Sequence, residues 1–166
     1  ERQDENYLAE NHNVDPDNVD LLRFDGVILE GSNAAFLNMV QYIALNDMTI
    51  QAKYDLVLKL IELPNYCDYF ISETYYDNID WIYEKGSNNI KFWRTINPPS
   101  KWRYILWDTD LGLRLFQPNP LIGTGTAFTC EDDYLGRIIH PAAASVHSLM
   151  LKSLLRNISF RNYFIN

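Results

Sequence analysis

Apolar residues recur at helical spacing through three consecutive stretches of the chain. Ser32 or Asn33 can cap a helix over about residues 34–45, which sets Phe36, Leu37, Val40 and Ile43-Ala44 on one face. Thr49 is placed to cap a second helix, with Tyr54, Val57, Leu58 and Ile61 at helical spacing and Pro64 as its terminator. Asn65 is placed to cap a third, running through Tyr69, Phe70 and Tyr76. Together they predict a packed helical layer whose aromatic stripes are core. Residues 1–33 ahead of them read as a polar N-terminal stretch. Within it, Val14-Asp15-Pro16-Asp17 suits a turn or helix start, and Val27-Ile28-Leu29 is a short apolar run ending at Gly31.

The pattern changes after Trp81. Gly86-Ser87-Asn88-Asn89 is loop chemistry. Ile90-Lys91-Phe92-Trp93-Arg94 and Trp102-Arg103-Tyr104-Ile105-Leu106-Trp107 are short, aromatic and β-branched, and Asn97-Pro98-Pro99-Ser100 between them suits a reversal, so a β-hairpin is expected. Residues 117–133, rich in Pro, Gly and Thr, read as a long ordered loop. A helix over about residues 141–156 and a short one over 160–164 complete the chain. The expected fold is α+β and mainly helical, a single domain over residues 1–166 in which a helical layer carries a β-hairpin.

Composition narrows the function. Hydrophobic residues at 47% and 166 residues in all suffice for one sizeable core. The net charge of -8 argues against a general nucleic-acid binder or docking on anionic lipid, both of which need clustered cations. Cys67 and Cys130 stand far apart with no CxxC, so no zinc site is implied; one bridge or two buried thiols both remain open. No apolar run is long enough to span a bilayer, and the opening Glu1-Arg2-Gln3-Asp4-Glu5-Asn6 is too polar for a signal peptide.

The strand expected to end at Trp107 delivers Asp108 and Asp110 at its exit, with Leu111-Gly112 next. Residues i and i+2 of a strand point the same way, so both carboxylates would face one side. Two hard oxygen ligands suit Mg²⁺ or Mn²⁺ carrying a polyphosphate, and the glycine permits a sharp turn or a close approach. A turn with Asx hydrogen bonds accounts for the same residues equally well. Upstream stand Asp80, after the third helix, and Asn89, before the hairpin. Phosphoryl transfer in the kinase pattern uses an Asp to take the substrate hydroxyl proton, an Asn after it on metal, and a later strand-end Asp on metal. Asp80, Asn89 and Asp108 occur in that order.

Asn65-Tyr66-Cys67-Asp68-Tyr69-Phe70-Ile71, Asn78-Ile79-Asp80-Trp81, Asn88-Asn89-Ile90-Lys91-Phe92-Trp93-Arg94 and the run from Lys101 to Asp110 resemble the spore-coat CotH kinase family, from about Ala34 onward. The tail from Leu154 to Ile165 is similar to the segment C-terminal to that family's metal motif. The resemblance implies an atypical protein-kinase-like fold, here its C-terminal catalytic lobe, and phosphate transfer from ATP to Ser of a protein substrate. It implies Asp80 as catalytic residue, Asn89 and Asp108 as ligands of the Mg²⁺ (or Mn²⁺) that carries ATP, and Asp110 as an auxiliary metal ligand. It also implies a spore-coat, secreted or cell-surface setting. Many members place the paired asparagines four residues nearer the catalytic Asp, so Ile82-Tyr83-Glu84-Lys85-Gly86-Ser87 contains an insertion. The family's N-terminal lobe, with its phosphate-binding Lys, is not recognisable in residues 1–33, so the chain reads as a portion of a larger domain and inactive by itself.

Two other functions compete. A nucleotide-sugar transferase would use Asp108-Thr109-Asp110 on Mn²⁺ but needs an upstream parallel sheet. A non-catalytic surface module, a degenerate kinase, would use the aromatic loops for binding protein or glycan. The remaining candidates are weaker: His140 and His147 on one helix face, Arg94, Lys101 and Arg103 as phosphate-neutralising cations, and Gly123-Thr124-Gly125-Thr126 as a phosphate cradle that lacks a Lys after it.

Overall fold

A computed structural model describes residues 2–78, 80–83, 86–112 and 134–165. The loop expected over 117–133, the Gly123-Thr124-Gly125-Thr126 run and Cys130 lie outside them.

The chain opens with helix α1 (Glu5–His12), capped by Asp4, whose carboxylate accepts from the amides of Asn6 and Tyr7. Next come strands β1 (Val19–Arg23) and β2 (Val27–Glu30), then helices α2 (Ala34–Leu45), α3 (Gln51–Val57) and α4 (Leu63–Tyr75). Two short strands, β3 (Ile82–Tyr83) and β4 (Gly86–Ser87), precede the longer pair β5 (Lys91–Thr95) and β6 (Arg103–Ile105). Helices α5 (Tyr134–Ile138), α6 (Val146–Leu154) and α7 (Ile158–Ile165) complete the described elements. The main sheet runs β2-β1-β5-β6 and is antiparallel at every pairing, so the fold is α+β.

The polar opening stretch therefore supplies half of that sheet. β1 is buried at four of its five residues because both faces of the sheet are covered. On one face Leu22, Phe92 and Tyr104 join Phe36, Phe70, Trp81, Trp102 and Phe160 in the main core with the helices. On the other, Leu8 of α1 packs on Val19, Leu21, Trp93 and Ile105. A strand covered on both sides loses the alternating pattern that marks a half-buried one, which is why Val19-Asp20-Leu21-Leu22-Arg23 carries no strand signature. Its single acid, Asp20, is buried and bonded by Arg94 of β5 at 2.8 Å.

The helical layer holds, with three changes at its ends. Pro64 does not terminate the second helix; it sits in the first turn of α4, where its missing N–H has no partner to lose. The N-cap position is Glu62, and Asn65 docks the helix onto β6 instead. Its side chain accepts from the Tyr104 amide at 2.6 Å and donates to the Tyr104 carbonyl at 3.0 Å. Ile50 takes the position expected of Thr49, whose own amide donates to Asp47. At the other end, α6 begins only after Ser145, whose hydroxyl accepts from the His147 amide. The expected hairpin is present, but its second strand stops at Ile105, so the acidic residues lie beyond the ladder.

Candidate functional site

The site is assembled where α4 ends. Asp77, two residues past the helix, adopts φ 51° and turns the chain inward, burying Asn78 completely. The Asn78 side chain accepts from the Asp80 amide at 3.1 Å, donates to Glu73 of α4 at 2.8 Å, and reaches the Asp108 carbonyl at 3.4 Å. One buried amide thus ties the helix, the Asp80 segment and the Asp108 segment together.

The insertion after Trp81 folds back on itself. β3 and β4 pair with Ile82 opposite Ser87 and Tyr83 opposite Gly86, and the Asn88 amide donates to the Trp81 carbonyl at 2.6 Å. Extra residues that enter and leave at the same place do not displace the chain beyond them. Asn89 still meets Asp80: its Nδ2 donates to Asp80 Oδ2 at 3.2 Å. Asn89 is 7% exposed and adopts φ 47°, a left-handed conformation that Asn tolerates better than most residues.

Asp108 adopts φ 55°, also left-handed. Strand alternation does not bring Asp108 and Asp110 together, because the strand has ended; a turn does, closed by the Gly112 amide donating to the Thr109 carbonyl at 2.9 Å. Gly112 is needed for close approach, not for unusual torsion. A Cβ there would stand 2.9 Å from the Thr109 carbonyl oxygen and 3.0 Å from that of Tyr76. The glycine lets the acidic turn press against the end of α4, next to Asp80.

The electrostatics record this convergence. The Asp108 carboxyl is pushed above the usual range by partial burial, then by its hydrogen bond to Asp110 and the charges of Asp110 and Asp80, while Lys91 pulls it down. Below it, Glu73 is raised to about 7 by burial, against hydrogen bonds from Asn78 and Tyr69. Lys91 lies over the Trp107 ring at 4.1 Å, and burial, with the charges of Arg2 and Arg23 second, lowers its pKa. The charges of both Asp110 and Asp80 thus act on Asp108, and Asp108 and Asp110 are exposed to solvent. Among the described residues no three His, Cys, Asp or Glu side chains form a group able to hold a metal by themselves. Mg²⁺ does not require one, since it is commonly held by one or two carboxylates with phosphate and water completing its shell. Asp108, Asp110 and the Asn89 carbonyl oxygen are the groups that fit.

The sequence pattern of the CotH kinase protein family matches residues 1–166. The chain belongs to that family. The CotH match includes residues 1–33, ahead of the resemblance that begins at about Ala34, and so takes in β1 and β2. No curated protein and no solved structure matches the chain.

Other candidate residues of this CotH chain have different duties. Arg94 is committed to buried Asp20, and Arg103 lies over the Trp93 ring at 5.8 Å. Lys101 precedes β6, at the end of the hairpin away from Asp108. His140 is exposed and precedes α6, whereas His147 is fully buried between the Tyr104 hydroxyl (3.0 Å) and the Phe24 carbonyl (2.7 Å). The two histidines share no helix face. Cys67 is buried, and burial pushes its thiol up to about 12. Asn78 and Glu73 carry site geometry that sequence reading leaves unassigned. The signal for Asn78 is its place two residues before Asp80, the spacing of an Asx turn.

Proposed function

We propose that this chain forms the metal-and-base half of a protein Ser kinase site that uses Mg-ATP. The observation that carries the reading is the hydrogen bond from Asn89 to Asp80, on a segment that Asn78 ties to Asp108. A divalent cation held there would neutralise the phosphates and orient the transferred group.

The chain's own residues divide the remaining work. Asp80 accepts the proton of the substrate Ser hydroxyl, and its backbone is fixed for this by Asn78. Asn89 holds the Asp80 carboxylate in one rotamer with its N–H, leaving its carbonyl oxygen for the metal. Asp108 is the principal metal ligand and Asp110 the auxiliary one. Their left-handed and turn geometry is set before any ligand arrives, which limits reorganisation during transfer.

The antiparallel sheet gives the nucleotide-sugar transferase alternative none of the parallel scaffold it requires. The test is a thermal shift with Mg-ATP on the protein and on Asp108→Ala. Saturation at a hundredfold over Kd should add about 2.7 kcal/mol to the unfolding free energy. No shift in the unmodified protein, or an equal shift in Asp108→Ala, would overturn the reading.

A further inference from the structure

On the α1 face of the sheet, Arg23 of β1 and Lys91 of β5 stand directly opposite each other in the strand register. Like charges at such a position repel and weaken the pair. Among the described residues neither has a carboxylate within ion-pair distance; the ion pairs are Arg2 with Asp4, Arg94 with Asp20 and Arg156 with Asp47. Lys91 Nζ donates to the Gln3 carbonyl at 3.0 Å and rests on Trp107, while Arg23 lies over the Phe24 ring at 4.9 Å. Among the described residues, their polar contacts leave most of their donors unused.

The two cations line a cavity of ≈ 240 Å³ whose wall also includes Phe24, Asn89 and Trp107. Arg2, Asp4 and Glu5 line it too, and the two acids are occupied within their own segment. Asp4 accepts from the Asn6 and Tyr7 amides and faces Arg2, and Glu5 accepts from the Asn6 side chain at 3.1 Å. The volume is below the roughly 300–1,000 Å³ of pockets that enclose a drug-sized ligand, so it suits a headgroup better than a whole nucleotide. Asn89 belongs both to this wall and to the bond with Asp80, which makes the cavity and the carboxylate cluster adjacent.

We propose that this cavity is a phosphate subsite in which Arg23 and Lys91 grip an anionic phosphoryl group beside the Asp80, Asn89 and Asp108 cluster. The ligand class is a polyphosphate, and its assignment to the nucleotide rests on the kinase reading above. Arg23 offers a planar fork for two phosphate oxygens and Lys91 a point charge, a pairing suited to phosphate. A bound anion also removes the repulsion that the opposed cations otherwise maintain.

The experiment is calorimetric titration of the chain with tripolyphosphate and with ATP, each with and without Mg²⁺. Arg23→Gln, Lys91→Gln and the distant control Lys101→Gln are compared. Tripolyphosphate is expected to bind, and affinity to fall about tenfold in each of the first two variants but not in the control. Their thermal midpoints should match or exceed that of the unmodified protein, which separates lost binding from lost folding. Absence of tripolyphosphate binding, or equal affinity in all four proteins, overturns the subsite. Mg-ATP binding that survives Arg23→Gln and Lys91→Gln also overturns it while leaving the kinase reading intact. Metal-free tripolyphosphate binding that survives Asp108→Ala supports the subsite even if no phosphoryl transfer is found. Tighter binding of ATP than of tripolyphosphate in Mg²⁺ identifies a nucleotide as the source of the phosphate.

Discussion

Replacing Glu73 with Gln should make the protein more stable at alkaline pH and leave it nearly unchanged at acid pH. Glu73 is fully buried at the end of α4, and burial raises its carboxyl from 4.5 to about 7. A carboxyl with a raised folded pKa carries no penalty while it stays protonated in both states. Stability is then lost as pH climbs from the unfolded value through the folded one, because the unfolded chain gives up the proton first. A carboxyl held at about 7 in place of 4.5 corresponds to about 3 kcal/mol of destabilisation above neutrality. Gln keeps the shape, keeps an oxygen for the Asn78 amide and cannot ionise. Urea unfolding of both proteins at about pH 5 and about pH 8 isolates the effect, since other groups titrate alike in both. The variant should gain about 3 kcal/mol at the higher pH, equivalent to roughly 6–12 °C in midpoint, and under 1 kcal/mol at the lower. A difference that does not vary with pH, or a less stable variant at pH 8, would refute the reasoning and mean that Glu73 is well solvated as an anion.

Other substitutions probe the same arrangement from different sides. Gly112→Ala drives a methyl group against two backbone oxygens, so it should cost about 1–3 kcal/mol and weaken Mg-ATP binding by displacing the acidic turn, measured by denaturation and calorimetry. Asn78→Ala should cost about 2–3 kcal/mol, because Glu73 and the Asp80 amide lose their shared partner; Asn78→Asp should be worse, since it sets a second carboxylate against buried Glu73. Asp108→Asn relieves repulsion from Asp110 and Asp80 while tolerating the left-handed backbone, so without metal its midpoint should rise by a degree or two, as expected for an exposed group worth under about 1 kcal/mol. Its response to Mg-ATP should vanish. Arg94→Met leaves Asp20, at 2% exposure, with the Ser32 amide but without its cation, and should cost about 3 kcal/mol in urea unfolding.

The helices are legible because most of their apolar positions repeat with one period against one core: Phe36 and Ile43 of α2 and Tyr69 and Phe70 of α4 lie where the spacing puts them, whereas Leu37 and Ala44, on the same expected face, are exposed. Their ends are less so. Pro64 and Asn65 read as stop and start signals, yet the chain uses Pro64 within a first turn and Asn65 as a tertiary link to Tyr104. β1 carries no alternation because both faces of its sheet are covered, and so residues 1–33 read as a polar stretch. Asp80, Asn89 and Asp108 were readable through their order and types. That Asn89 still reaches Asp80 across an insertion was not, since it depends on β3 and β4 closing locally. Glu73, Arg23 and Lys91 were invisible for a related reason. Glu73 looks like any helix carboxylate until it is buried, and the two cations gain meaning only from the register that sets them opposite each other.

The most direct test of the account is electron paramagnetic resonance of Mn²⁺ titrated with the protein in the presence of ATP. Asp80, Asn89 and Asp108 acting as one site predicts a single Mn-nucleotide complex per chain, lost in Asp108→Ala and weakened in Asn89→Ala. Mn-ATP whose spectrum stays that of the protein-free complex at saturating protein, or that binds equally in Asp108→Ala, would contradict it.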